Sequence, residues 1–113
     1  MKHKVVLVPF PFDDLSSTKV RPAVCLTESI GQHKHVVLAF ITSRVPDEPL
    51  GTDLIFKDAD KDFAATGLRV SSTLQLHRMM TVGANIIVRE LGALPIPAQE
   101  QVDEKLKLLF GLK

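Results

Sequence analysis

The chain has 113 residues, 45% apolar and 24% charged, which fits one soluble domain spanning residues 1–113 and excludes disorder, collagen and coiled coil. Its single cysteine, Cys25, rules out an internal disulfide and a cysteine-based metal centre. No apolar run approaches a membrane span, and the Pro-broken start lacks a signal-peptide pattern, so a cytoplasmic protein is expected. The net charge of +1 is unevenly spread: residues 1–45 carry +3, residues 46–62 carry −4 and residues 63–95 carry +2. The acidic block reads as a solvated loop, and the flanking basic segments are candidates for one positive face.

Val5 to Phe10 is the first predicted strand, ended by Pro9 and Pro11, which remove ladder donors. A polar loop, Asp13 to Lys19, leads through Arg21-Pro22 into a second strand, Ala23 to Thr27. Gly31 to Lys34 reads as a turn. Val36 to Thr42 is almost wholly apolar, β-branched or aromatic, and is expected as a central strand buried on both faces. Thr52 to Lys57 alternates, with Leu54 and Phe56 facing inward. A helical turn is expected within Ala59 to Ala65. Val70 to Leu76 alternates again, with Val70, Leu74 and Leu76 inward, and Met79 to Val82 and Ile86 to Val88 complete the β set. One helix begins near Pro97. Val102, Leu106, Leu109 and Phe110 form its apolar stripe, and Gly111 closes it. Strands first and one helix last predicts a small barrel or rolled antiparallel sheet with a helix packed on it.

No catalytic signature such as a phosphate-binding glycine loop or a nucleophile elbow is present. His33 and His35, two apart, would share a strand face and chelate a metal, but they flank a turn with no third ligand, so a solvated hairpin is preferred. His3 is expected to be frayed or at the surface. His77, beside Arg78, either meets an anion or faces solvent. Two groups suit an anionic substrate. Ser16, Ser17, Thr18, Lys19 and Arg21 combine hydroxyls with cations, and an arginine grips two phosphate oxygens at once. Thr42-Ser43-Arg44 ends the buried strand, where a hydroxyl is held rigidly at the edge of solvent and suits a transition-state donor. The bland alternatives are a polar loop and a strand terminus.

The stretch from Val6 to Val24, with its Ser-rich loop and Lys19-x-Arg21-Pro22, resembles the opening of the MazF/PemK-like toxins of type II toxin–antitoxin systems. Ile41-Thr42-Ser43 is similar to the family's Thr-Ser pair. Gly67 to Ser72 followed by Met79 to Val82 is similar to its later strand pair, Leu91 to Leu94 ahead of a final helix also fits, and the likeness spans roughly residues 4–110. The resemblance implies an SH3-like small barrel with a C-terminal helix, acting as a homodimer. It also implies a metal-independent, cofactor-free endoribonuclease, an mRNA interferase selective for sequences in single-stranded RNA. In that case Arg21 and Thr42 carry catalysis, and the RNA supplies its own 2′-hydroxyl nucleophile and leaves a 2′,3′-cyclic phosphate. Ser16, Ser17, Lys19, Ser43, Arg44, Arg69, His77 and Arg78 are then the candidate RNA contacts. His77 is also the preferred choice for a general base. The resemblance further implies a cognate antitoxin whose acidic, disordered tail folds over the basic groove. A mean hydropathy of +0.15 is high for so small a chain and suits an apolar patch covered in a homodimer. Two other readings keep the fold. One is a toxin that inhibits DNA gyrase by protein–protein contact through exposed apolar residues of the last helix, here Leu108 and Leu112. The other is a silenced paralogue that only sequesters antitoxin.

Overall fold

The computed structural model describes residues 1–9 and 19–113. Six antiparallel strands and one helix follow in chain order: β1 (Lys4–Pro9), β2 (Val20–Cys25), β3 (His35–Thr42), β4 (Asp53–Phe56), β5 (Ser72–Gly83), β6 (Arg89–Ala93) and α1 (Ile96–Phe110). Short 3-10 turns lie at Phe63–Thr66 and Ala84–Ile86. The strands form one sheet in the order β4-β5-β3-β2-β1-β6. No pairing joins β4 to β6 among the described residues, so the sheet is a curled half-barrel with two edges.

Alternation along the middle strands feeds two cores. Val5, Val24, Ala39, Ile41 and Leu74 face one side, where α1 packs through Val102, Ala98, Leu106 and Leu109. Val6, Val8, Ala23, Cys25, Leu38 and Phe40 face the other, with Met80, Ala84 and Ile87 against them. Since β1, β2 and β3 supply both clusters, their near-continuous apolar runs are what a strand covered on both faces requires. The expected central strand is β3.

The long strand β5 merges two segments that the sequence pattern separated, and a bulge explains why. Ala39 pairs with Met79 but Ile41 pairs with Leu74, so four residues of β5, Gln75 to Arg78, stand against Phe40 alone. The surplus residues reverse the inside–outside alternation: Leu74 and Leu76 point to the first core, Met80 and Val82 to the second. The first half of β5 also pairs with β4.

Several expectations need correcting. Val70 is 51% exposed and precedes β5, because the chain bends at residues 69–70 before the strand begins. Ile86 to Val88 is not a strand: a 3-10 turn ends at Ile86, Val88 is exposed, and pairing with β1 begins at Arg89. β2 runs from Val20 to Cys25 rather than from Ala23 to Thr27. Asp53 is buried, since its Oδ2 accepts the Leu50 N–H at 2.9 Å and closes the turn ahead of β4. Phe110 is 59% exposed. At about 100° per residue it lies some 80° around the helix from Val102, outside the stripe that meets the sheet. His3 is not frayed: its N–H donates to the Cys25 carbonyl at 2.8 Å, and its carbonyl accepts from Leu94 at 2.9 Å. Phe10 and the loop from Asp13 to Thr18 lie outside the described residues.

The helix ends as expected. Gly111 has a φ of 68°, a left-handed cap, and the Leu112 N–H donates to the Lys107 carbonyl at 2.8 Å.

Candidate nucleic-acid interface

Pro22 has no N–H to give, and the β2–β3 ladder stops one residue away, at Ala23 opposite Phe40. The register between the two strands runs from Cys25 opposite Leu38 to Ala23 opposite Phe40. Extending the register by two residues sets Arg21 opposite Thr42. By alternation both share the face of Ala23 and Phe40. The site thus begins where a proline ends a ladder.

Arg21, Thr42, Ser43, Arg44 and Arg78 line one open cleft of about 820 Å³, with Phe40, Gln75, Pro46 and Asp47 completing much of its wall. Three guanidinium groups face a single carboxylate, that of Asp47, among the described lining residues, so the cleft favours an anion. The β5 bulge brings Gln75 and Arg78 to this wall, each at an end of the segment opposite Phe40.

The turn after β3 is held from two directions. The Arg44 N–H donates to Thr42 Oγ1 at 3.3 Å, and Thr73 Oγ1 donates to the Arg44 carbonyl at 2.8 Å. With its oxygen accepting from the backbone, the Thr42 hydroxyl has its own proton to donate elsewhere.

The remaining sequence candidates fall in different places. Lys19 is exposed at the step into β2. Ser16 and Ser17 lie outside the described residues. Arg69 is exposed in the bend before β5 and is not among the cleft's lining residues; His77, exposed within the bulge, is not among them either. Gln75, Phe40 and Asp47 were not singled out in the sequence. No local pattern around Gln75 announces the bulge that sets it against the cleft. His33 and His35 are exposed on the β2–β3 hairpin with ring centroids 5.9 Å apart, and no group of three potential metal ligands occurs among the described residues.

A smaller hollow of about 280 Å³ lies between β4, the Phe63–Thr66 turn and the start of α1. Its charges balance, Lys57 and Lys61 against Asp60 and Asp62, and it gathers none of the candidate residues. Shifted titrations lie outside the cleft. Burial, helped by Lys2, lowers the pKa of His3; burial raises that of the Cys25 thiol; and hydrogen bonds from the N-terminal amine and the Lys2 backbone lower that of Glu28.

A six-stranded curled antiparallel sheet carrying one C-terminal helix is the fold of a class of small toxins. The family model of the PemK-like, MazF-like toxins of type II toxin–antitoxin systems matches residues 2–110, and the chain belongs to that family. No curated protein matches the sequence. Among solved structures, it is similar to the Mycobacterium tuberculosis toxin MazF-mt6, with 20% identity, a TM-score of 0.75, and coverage of 97% of this chain and 98% of that one. It is also similar to a mycobacterial endoribonuclease in complex with its cognate antitoxin, at 13% identity and a TM-score of 0.72, covering 100% and 96% of the two chains. The MazE–MazF complex of Deinococcus radiodurans gives 16% identity, a TM-score of 0.68, and 99% and 95% coverage. At these identities the likeness is one of fold.

Proposed function

We propose that this toxin is an endoribonuclease that cuts single-stranded RNA at selected sequences, with Arg21 and Thr42 as its catalytic pair. The observation that carries the reading is their convergence at the β2–β3 ends, inside a cleft with three guanidiniums. In this reaction the RNA 2′-oxygen attacks the adjacent phosphorus. The P–O2′ bond forms, the P–O5′ bond breaks, and the products are a 2′,3′-cyclic phosphate and a 5′-hydroxyl. The protein's tasks are to orient the backbone and to stabilise charge on the phosphorane. The Arg21 guanidinium binds the non-bridging oxygens and protonates or hydrogen-bonds the leaving 5′-oxygen, while the Thr42 hydroxyl donates to a non-bridging oxygen. Asp47, the one carboxylate among the described lining residues, is the available acceptor for the 2′-hydroxyl proton. Arg44, Arg78 and Ser43 hold neighbouring phosphates, and Gln75 offers an amide to a base edge. Lys19 and Arg69 extend the RNA path beyond the cleft, and His77 serves a flanking nucleotide; Ser16 and Ser17 are further RNA contacts in this reading.

The same basic lining suits the acidic tail of a cognate antitoxin, which would block the cleft by occupying it. The active form is a cytoplasmic homodimer. These side chains complete the reaction without a metal, so activity should survive a chelator. The test is to incubate the protein with single-stranded RNA in EDTA beside an Arg21→Ala variant and map the ends. Discrete cuts ending in 2′,3′-cyclic phosphate, lost in the variant, are expected. Intact RNA with folded wild-type protein would overturn the reading.

One observation favours a second reading. Leu108 and Leu112 are 62% and 64% exposed at the end of α1, an apolar surface of the kind a gyrase inhibitor would use. A toxin acting that way keeps its toxicity in the Arg21→Ala variant and inhibits supercoiling in vitro.

A further inference from the structure

Thr73 is fully buried near the start of β5, so it cannot touch RNA. Its backbone pairs on one side with Thr42 and on the other with Ile55, which leaves it little freedom to move. From there its hydroxyl crosses to the turn beyond β3 and donates to the Arg44 carbonyl at 2.8 Å. The Arg44 N–H in turn donates to Thr42 Oγ1 at 3.3 Å. A single peptide segment is therefore clamped at both of its polar groups, one by a buried strand residue and the other by the proposed catalytic hydroxyl. Thr42 is the last residue of β3 and half-buried, and among the staggered wells left to a β-branched side chain the bond from the Arg44 N–H favours the one that turns Oγ1 toward the 43–44 turn.

We propose that Thr73 is a positioning residue for the cleft: its hydroxyl fixes the Arg44 backbone, and through it the Thr42 hydroxyl, in the orientation that donates to a phosphate oxygen. The inference rests on the ribonuclease reading for its catalytic consequence, but the geometric part stands apart from it. Without the clamp, the 43–44 turn relaxes, the Arg44 N–H no longer holds Thr42 Oγ1, and the hydroxyl samples rotamers that point away from the cleft. A displacement of about 1 Å at a reacting group costs on the order of 10²-fold in rate.

The experiment compares wild type with Thr73→Val, which keeps the shape and removes the hydroxyl, and Thr73→Ser, which keeps the hydroxyl. Three quantities are read. The first is single-turnover RNA cleavage. The second is affinity for an oligonucleotide made uncleavable by a 2′-deoxy sugar at the cut site. The third is the Thr42 side-chain rotamer, from NMR couplings to its labelled methyl group. Thr73→Val should cleave about 10- to 100-fold more slowly, bind the uncleavable strand within about threefold of wild type, and show an averaged Thr42 rotamer. Thr73→Ser should restore both the rate and the single rotamer. Equal rates for Thr73→Val and wild type, or a Thr73→Ser variant as slow as Thr73→Val, would overturn the proposal. If wild-type protein leaves RNA intact, the ribonuclease reading fails. The positioning claim is then decided by the NMR arm alone: averaging in Thr73→Val sustains it, and an unchanged rotamer ends it.

Discussion

His3 holds a left-handed backbone, with φ at 73°, and both of its backbone polar groups are bonded across to neighbouring segments. Its ring is partly buried, and that burial lowers its pKa below the ordinary value of 6.5. In the unfolded chain the imidazole takes its proton at higher pH than in the folded protein. Below about pH 6.5 the unfolded state therefore binds more protons, and stability falls as pH falls until the folded-state pKa is passed. Melting temperature should decline between pH 7.5 and 5.5, and His3→Gln should flatten that slope. An identical slope in the variant would assign the effect to other groups. Glu28 cannot supply it, because its carboxylate pKa is lowered from 4.5 and titrates below this window. His77 and Arg78 also part ways at this scale. They are neighbours in sequence, yet only Arg78 lines the cleft.

Among the elements, the outer edge of β6 would be open to pairing were it not approached by the Phe63–Thr66 turn. The approach is possible because two glycines meet there. A Cβ on Gly92 would stand 2.3 Å from the Ala65 carbonyl oxygen, and one on Gly67 would stand 2.1 Å from that of Leu91. Gly67 also has a φ of 74°. Covering the edge in this way keeps a half-barrel from extending its sheet into another molecule. Gly31 has nearly the same φ, 73°, but faces open space. The pair makes a clean comparison in urea denaturation. Gly31→Ala should cost about 1 kcal/mol, the strain of a left-handed alanine, whereas Gly67→Ala should cost about 2–4 kcal/mol because backbone must move as well. Equal losses would mean that the turn yields easily and does not secure the edge. The bulge in β5 is the other element-scale device: surplus residues opposite Phe40 turn the strand and set Gln75 and Arg78 against the cleft.

For the molecule as a whole, a net charge of +1 conceals a polar layout. Arg21, Arg44 and Arg78 gather at one cleft, while Asp58, Asp60 and Asp62 lie in the segment between β4 and the Phe63–Thr66 turn. The consequence for a single-stranded ligand is measurable. Each neutralised phosphate contributes about −0.7 to the slope of log affinity against log salt, so three contacts predict a slope near −2. Removing one cation with Arg78→Ala should reduce the slope by about 0.7 and weaken binding alike for different sequences. Gln75→Ala should leave the slope unchanged and alter sequence preference instead. A slope insensitive to Arg78→Ala would mean that the strand passes elsewhere.

Much of this molecule was legible in the chain. Apolar runs marked β1 to β5, a heptad-scale stripe with a terminal glycine marked α1, and Lys19-x-Arg21-Pro22 with Thr42-Ser43 carried the family resemblance. Those features are local: strand propensity, helical periodicity and a proline's missing N–H act over a few residues. β6 was missed, because Arg89 to Ala93 has neither alternation nor β-branched residues and is a strand only through its pairing with β1. The joining of two segments into one bulged β5 was missed as well, since a bulge is a mismatch between partners and not a property of either strand. The convergence of Arg21, Thr42, Gln75 and Arg78, and the buried hydroxyl of Thr73 beneath them, depends on register across three strands. Composition and spacing along one chain hold no record of that register. It is settled only when the two cores pack and each strand must turn its apolar residues toward them.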